Sequence, residues 1–183
     1  MNHYGLFIKL MDRQIPVQLL QLLEFWFRSG LTCVKWGDCF SAFYSQARGI
    51  WQGGVLSSYM FALYIDSVIE KVRRSRVGCE TKLESVGIIV YADDILLVAP
   101  TVTALQLFLK MCENELNWLA MSINASKSAC LRIGKDYKTV SGCIRTIDGR
   151  EIPWQDNVRY LVMHLVANNV FTCSFDNAKK PYY

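Results

Sequence analysis

Apolar residues recur at helical spacing across residues 16–30, where Leu19, Leu20, Leu22, Leu23, Trp26 and Phe27 lie between a proline at the first turn and a glycine at the stop. That pattern predicts a helix. The period then changes: TCVKW, the Gly37-Asp38 pair and CFSAF are two short β-favouring runs about a turn, which predicts a hairpin. After Gly53-Gly54 helical spacing returns from about Ser57 to Arg73, with Phe61, Ile65, Val68 and Val72 on the buried side.

The segment GIIVYADDILLVA holds two apolar runs flanking Ala92-Asp93-Asp94, each too short for an independent helix and rich in Ile and Val. It predicts a buried β-hairpin over residues 87–99 with both aspartates at its tip. A third helix follows, with Leu105, Leu109, Cys112, Leu116 and Leu119 alternately four and three residues apart and a capping box from Thr103 to Gln106. Further strands are expected at CLRI, around the Asp148-Gly149 turn, and at RYLVMHLV. No internal repeat, low-complexity tract or linker divides the chain, so residues 1–183 read as one α+β domain, with strands and helices interleaved in one layer pair.

Composition adds limits. With 183 residues, 52% of them hydrophobic and 20% charged, the chain can bury a core. Mean hydropathy is +0.17, yet no apolar run reaches the roughly 18 residues that a membrane-spanning helix requires, so no membrane association is expected. The opening MNHYGLFIKLMDR lacks the order of a secretory signal, which points to an intracellular address, nucleus or cytoplasm. Seven cysteines, none in a C-x-x-C pair, and only two histidines argue against a zinc site and for reduced thiols filling core positions. A net charge of +4 permits nucleic-acid contact without specifying it, and the cluster Lys71, Arg73, Arg74, Arg76 reads as a solvated helix end.

The adjacent carboxylates carry the candidate chemistry. Crowding Asp93 and Asp94 costs free energy unless something positive lies between them, and a divalent metal is the obvious candidate. Magnesium takes a few carboxylate oxygens with water and substrate phosphates, and two ions about 4 Å apart can hold both oxygens of a phosphoryl transfer. On the residues alone, a solvated tight turn that favours aspartate explains the pair equally well.

In context the segment resembles the YADD active-site motif of reverse transcriptases. Upstream, GIWQGGVLSSYMFALYIDSVI is similar to that family's pattern G-x-R-Q-G-x-x-L-S-P-x-x-F-x-x-Y-x-D through Gly49, Gln52, Gly53, Leu56, Ser57, Phe61, Tyr64 and Asp66. Downstream, INASKSACLRIG resembles the Asn-x-x-Lys element through Asn124 and Lys127, and VRYLVMHLV resembles the Y-L-G strand at the primer grip. The likeness runs from the first residues to about Lys180 and is nearest in style to the non-LTR (LINE-type) retrotransposon branch. It implies a polymerase palm and magnesium-dependent transfer from dNTP to a DNA primer on an RNA template. Asp93 would bind Mg2+, with Asp94 as a weaker ligand or orienting group. Gln52 and Gly53 would form the floor under dNTP and template base, where a Cβ would obstruct close approach; Lys127 would neutralise the leaving pyrophosphate and Tyr91 would pack near the primer terminus.

The same family pattern includes another aspartate on an earlier strand of the form D-x-x-x-A-F-D. Of the earlier aspartates here, Asp12 falls in a polar link between helices and Asp38 in a hairpin turn. The expectation is therefore a partial palm without that strand, the fingers and most of the thumb, inactive by itself and with an exposed apolar sheet edge. Trp51 stands where arginine is usual, Ser58 where proline is usual, and Val162 where the Y-L-G glycine is usual. The competing readings are a non-catalytic module that binds nucleic acid or protein, and a gene-fragment product without selected function. The sequence does not set oligomeric state.

Overall fold

The computed structural model describes residues 1–174 apart from 47, 52, 76, 81–84, 140 and 141. Helix α1 (His3–Asp12) opens under the Asn2 side chain, which accepts from the Tyr4 amide, and α2 (Val17–Ser29) runs from Pro16 to Gly30. Four two-residue strands follow: β1 (Leu31–Thr32), β2 (Lys35–Trp36), β3 (Cys39–Phe40) and β4 (Tyr44–Ser45), with β2 and β3 paired about Gly37-Asp38 and β1 paired to β4. Then come α3 (Ser57–Arg74), the short pair β5 (Cys79–Glu80) and β6 (Ser85–Val86), the hairpin β7 (Ile88–Tyr91) and β8 (Asp94–Leu97), and α4 (Val102–Trp118). The remainder is β9 (Ile144–Arg145) with β10 (Glu151–Ile152), then β11 (Asn157–Tyr160), β12 (Met163–Val166) and β13 (Thr172–Ser174) in one three-stranded sheet.

The class is α+β, as the periodicity requires, although among the described residues the strands form separate small antiparallel sheets. The core lies between helices. Leu6 and Leu10 of α1, Tyr64, Ile65, Val68 and Val72 of α3, and Phe108, Cys112 and Leu116 of α4 make one buried cluster. Tyr64 ties the three together: its hydroxyl donates to the Leu119 carbonyl at the end of α4 and accepts from the Asn2 amide at 3.2 Å. A second cluster, Leu109, Ala125, Cys130, Ile144 and Ile152, fastens the β9–β10 hairpin to the far side of α4.

Several expectations need correction. In α2 only Phe27 is buried, while Leu19, Leu22 and Trp26 are exposed, because few elements pack on this helix. The cap of α4 is Thr101, whose hydroxyl accepts from the Ala104 amide, so the Thr103–Gln106 box does not form. Gln106 instead bridges to β9, accepting from Arg145 N at 2.8 Å and donating to Arg145 O at 2.7 Å. CLRI contributes a single bridge, Cys130 to Trp154, and RYLVMHLV folds back on itself as the β11–β12 hairpin. Asp12 closes α1 and is not in a link. Of the seven thiols only Cys112 and Cys130 are buried, where desolvation pushes them up to about 12 and about 11; Cys39 and Cys143 are exposed. At the basic end of α3, Lys71 pairs with Glu115 and Arg74 with Glu70, while Arg76 lies outside the described residues.

Among the described residues Glu113 is the one buried carboxylate, held by the Ile147 amide at 2.9 Å. Desolvation raises its pKa above the ordinary 4.5, against the pull of that hydrogen bond. A raised carboxyl pKa means that the native state binds the proton more tightly, so this charge costs stability above the folded pKa and the cost disappears as pH falls toward the unfolded value. Glu113→Gln keeps an acceptor for Ile147 and removes the charge. It should raise Tm at pH 7 by about 2–4 °C, and the gain should vanish below pH 4 in a thermal-melt series.

Candidate functional site

The β7–β8 hairpin has two unlike faces. Pairing runs Ile88–Leu97, Ile89–Leu96, Val90–Ile95 and Tyr91–Asp94, and alternation sends Ile88, Val90, Ile95 and Leu97 inward onto the helical core. The other face carries Ile89, Leu96, Tyr91 and Asp94, with Ile89 46% and Tyr91 63% exposed. The hairpin is thus half-buried, not buried as its continuous apolar runs suggested, and among the described residues no third strand pairs with it. Its seat is close. A Cβ on Gly87 would lie 3.0 Å from the ring of the fully buried Phe108, so Gly87→Ala forces Phe108 or the strand to move and should lower stability by about 1–3 kcal/mol in a denaturant titration.

A two-residue loop, Ala92-Asp93, closes the hairpin, and Ala92 holds φ +50. A non-glycine residue in this left-handed region costs roughly 1–2 kcal/mol, a local strain that the strand pairing on both sides sustains. Asp93 therefore sits in the loop, while Asp94 is the first residue of β8, directly across from Tyr91. Both carboxylates are exposed, and neither has an ion pair or side-chain hydrogen bond among the described residues. Tyr91 projects outward beside Asp94 and takes no part in the core.

The other predicted residues are less tightly gathered. Gln52 lies outside the described residues. Gly53 is exposed in the turn before α3 with φ +81, and a Cβ there would meet nothing within 4 Å; within the chain the glycine is needed for its backbone conformation, not for space. Lys127 is exposed at the end of a 3-10 turn whose Ala125 belongs to the second core cluster, and Asn124 holds that turn by accepting from the Ser126 hydroxyl at 2.7 Å. No ion pair joins Lys127 to Asp93 or Asp94 among the described residues. Asp66 makes a surface pair with Arg13.

Trp51, where an arginine was the expected residue, turns toward α2. It stacks on Phe27 with ring centres 5.3 Å apart and lies 4.8 Å from Trp26, and it covers Gly30 so closely that a Cβ there would fall 2.1 Å from the indole. A cleft of about 660 Å3 lies nearby, lined by Phe7, Met11, Leu20 and Phe27 of α1 and α2; it does not include the aspartates. Among the described residues no group of three or more His, Cys, Asp or Glu side chains is placed to hold a metal. Asp93 and Asp94 form a two-carboxylate donor set, which suits a magnesium ion completed by water and substrate phosphates and falls short of a two-ion site.

Tyr160 ends β11, in the segment that resembles the Y-L-G strand. Burial raises its phenol above the ordinary pKa of 10, and the Asp94 charge adds to that shift. Val162, at the tip of the β11–β12 hairpin, is 66% exposed and takes no left-handed conformation; the positive φ, +55, falls on Leu161. Valine in place of the pattern's glycine thus brings no left-handed strain at position 162.

Against known proteins, residues 1–165 match the family described as reverse transcriptase (RNA-dependent DNA polymerase). The chain is also 25% identical over 140 residues to the "Retrovirus-related Pol polyprotein from type-1 retrotransposable element R2" of Nasonia vitripennis. That match covers 75% of this chain and 14% of the wasp protein, so the chain spans a small part of its relative's length.

Proposed function

Since the chain belongs to the reverse transcriptase (RNA-dependent DNA polymerase) family, we propose that it is palm sequence of a non-LTR retrotransposon polymerase in which Asp93 and Asp94 hold Mg2+. The observation that carries this reading is the pair of adjacent, exposed, unpartnered carboxylates at the tip of a hairpin whose other face is fixed to α3 and α4. A solvated turn needs only one good turn residue and no such seat. The bound ion would neutralise the phosphates and lower the barrier to attack by the primer hydroxyl.

The chain's own residues would divide the remaining work. Asp93, in the loop, is the primary ligand, and Asp94, anchored in β8, limits how far the pair can turn. Tyr91 presents an exposed ring beside Asp94, suited to packing against the sugar of a primer end. Gln52 and Gly53 would lie under the nucleotide, and Lys127 would meet the departing pyrophosphate once substrate brings these segments together. The RNA template, DNA primer and dNTP are partners of the polymerase as a whole, and the 183 residues supply two of its carboxylates.

Titrating Mn2+ into the 183-residue chain tests the metal seat. NMR signals of Ala92, Asp93 and Asp94 should broaden first, and Asp93→Ala should remove that selectivity. Uniform broadening across the chain, or early broadening elsewhere, rejects the assignment and favours a palm remnant that binds other macromolecules without catalysis.

A further inference from the structure

Residues 132–150 hold five Lys and Arg against two Asp, a net of +3 out of the +4 carried by all 183 residues. Two of those cations are engaged at the β9–β10 hairpin, where Arg145 pairs with Glu151 and Arg150 with Asp148. The other three are Arg132, Lys135 and Lys138, in or beside the loop 134–139, whose own countercharge is Asp136. Lys135 and Lys138 are exposed and have no ion pair among the described residues. The loop has a fixed backbone. Arg132 donates to the carbonyls of Asp136 at 3.2 Å and Thr139 at 3.4 Å, and the Tyr137 amide returns to the Gly134 carbonyl at 3.1 Å. The Gly134 amide in turn donates to the Asn168 carbonyl at 2.9 Å, which ties the loop to the connection between β12 and β13.

We propose that this loop is a docking surface for a nucleic-acid duplex, held through its phosphates without regard to sequence. The choice of nucleic acid among polyanions rests on the polymerase reading, whereas the choice of phosphates over bases rests on the loop's own rings. Lys138 Nζ lies 5.5 Å from the centre of the Tyr137 ring, and Arg132 Cζ lies 5.5 Å from that of Trp154. Both rings are half-buried with a cation over one face, so neither presents the open face that base stacking needs. What the loop offers a polyanion is positive charge, with the Lys138 ammonium steadied over Tyr137 and the Lys135 ammonium in water. A duplex carries phosphate charge about every 1.7 Å of its axis against about 3.4 Å for one strand, and each lysine that meets a phosphate releases condensed counterions. The footing is the second core cluster, against which Trp154 packs and whose Cys130 forms the parallel bridge to Trp154.

Fluorescence anisotropy of a short RNA–DNA duplex with the 183-residue chain tests the surface, in EDTA so that no cation bridges the aspartates to a phosphate. The duplex should bind more tightly than either single strand, with log K falling linearly against log salt. Lys135→Gln/Lys138→Gln should weaken duplex binding by roughly tenfold at about 0.1 M salt and make the salt slope shallower by about 2. Lys135→Arg/Lys138→Arg should retain both, and the exposed positions should leave Tm unchanged in either pair. An equal slope change in Arg28→Gln/Arg74→Gln, which removes the same charge from α2 and α3, overturns the assignment to the loop, as does an absence of duplex binding. Tighter binding of single strands, weakened by Tyr137→Leu, overturns phosphate docking in favour of base stacking. Displacement of the duplex by poly-glutamate at equal charge overturns nucleic acid as the partner and gives the surface to an acidic protein. The Mn2+ titration judges the metal seat separately: if tip broadening fails while the salt slope still depends on Lys135 and Lys138, that seat is rejected and the docking loop stands.

Discussion

A polypeptide of these 183 residues should extend no primer when supplied with template, dNTPs and magnesium, even when its melt shows a folded protein. Two metal ions carry four positive charges, and Asp93 with Asp94 answers them with two negative charges from one side; among the described residues no third carboxylate joins the pair. Without a ligand between the ions, the primer hydroxyl is not held in line with the phosphate, and misplacement by about 1 Å can cost 10²-fold. In a polymerase where an aspartate-bearing strand and fingers precede these residues, extension should appear. Asp93→Ala should then lower it by about 10³-fold or more, the loss expected for a principal electrostatic group. Magnesium-dependent extension by the unmodified chain, lost on Asp93→Ala, would refute the idea that two carboxylates are insufficient. Trp51→Arg is a poor means of raising such activity, because it removes the stack on Phe27 and uncovers Gly30.

The largest loss of stability should come from Phe108→Ala. Phe108 is fully buried on α4 and belongs to the cluster that joins α3, α4 and the inner face of the β7–β8 hairpin. Removing its ring takes away apolar contact and leaves a cavity that Gly87, lacking a side chain, does not fill, for a cost of about 3–5 kcal/mol. Urea titration should show a lower midpoint with an unchanged slope. A loss below about 1 kcal/mol would mean that the hairpin is not seated on this residue. The aspartates are remote from the substitution in sequence, yet the seat that fixes their hairpin would be gone.

The three helices from residue 16 onward and the tip of the YADD hairpin were legible because their signals are local: apolar periodicity, a glycine stop, and two strand-length runs about a turn; α1 was not. Nor was burial. Leu19 and Leu22 keep helical spacing on a face that no described residue buries, and Ile89 sits in an apolar run on the outer side of a two-stranded sheet. Period tells which residues share a face, while neighbours distant in sequence decide whether that face is covered. Thr103 and Gln106 satisfy the spacing of a capping box, but Thr101 reaches the Ala104 amide first and Gln106 is drawn to Arg145 across 39 positions of sequence. Trp51 looked like a defect when compared with the family pattern, and its stack on Phe27 gives it a structural role that spacing could not reveal.

The turn between β11 and β12 has a consequence for how such chains diverge. Where the family pattern carries glycine, Val162 takes an ordinary backbone conformation, and the left-handed residue is Leu161, one position earlier. In this chain backbone handedness therefore places no demand on position 162, which is free to take many side chains. Position 161 carries the constraint. A copy of this sequence that acquires glycine, asparagine or aspartate there would relax the turn.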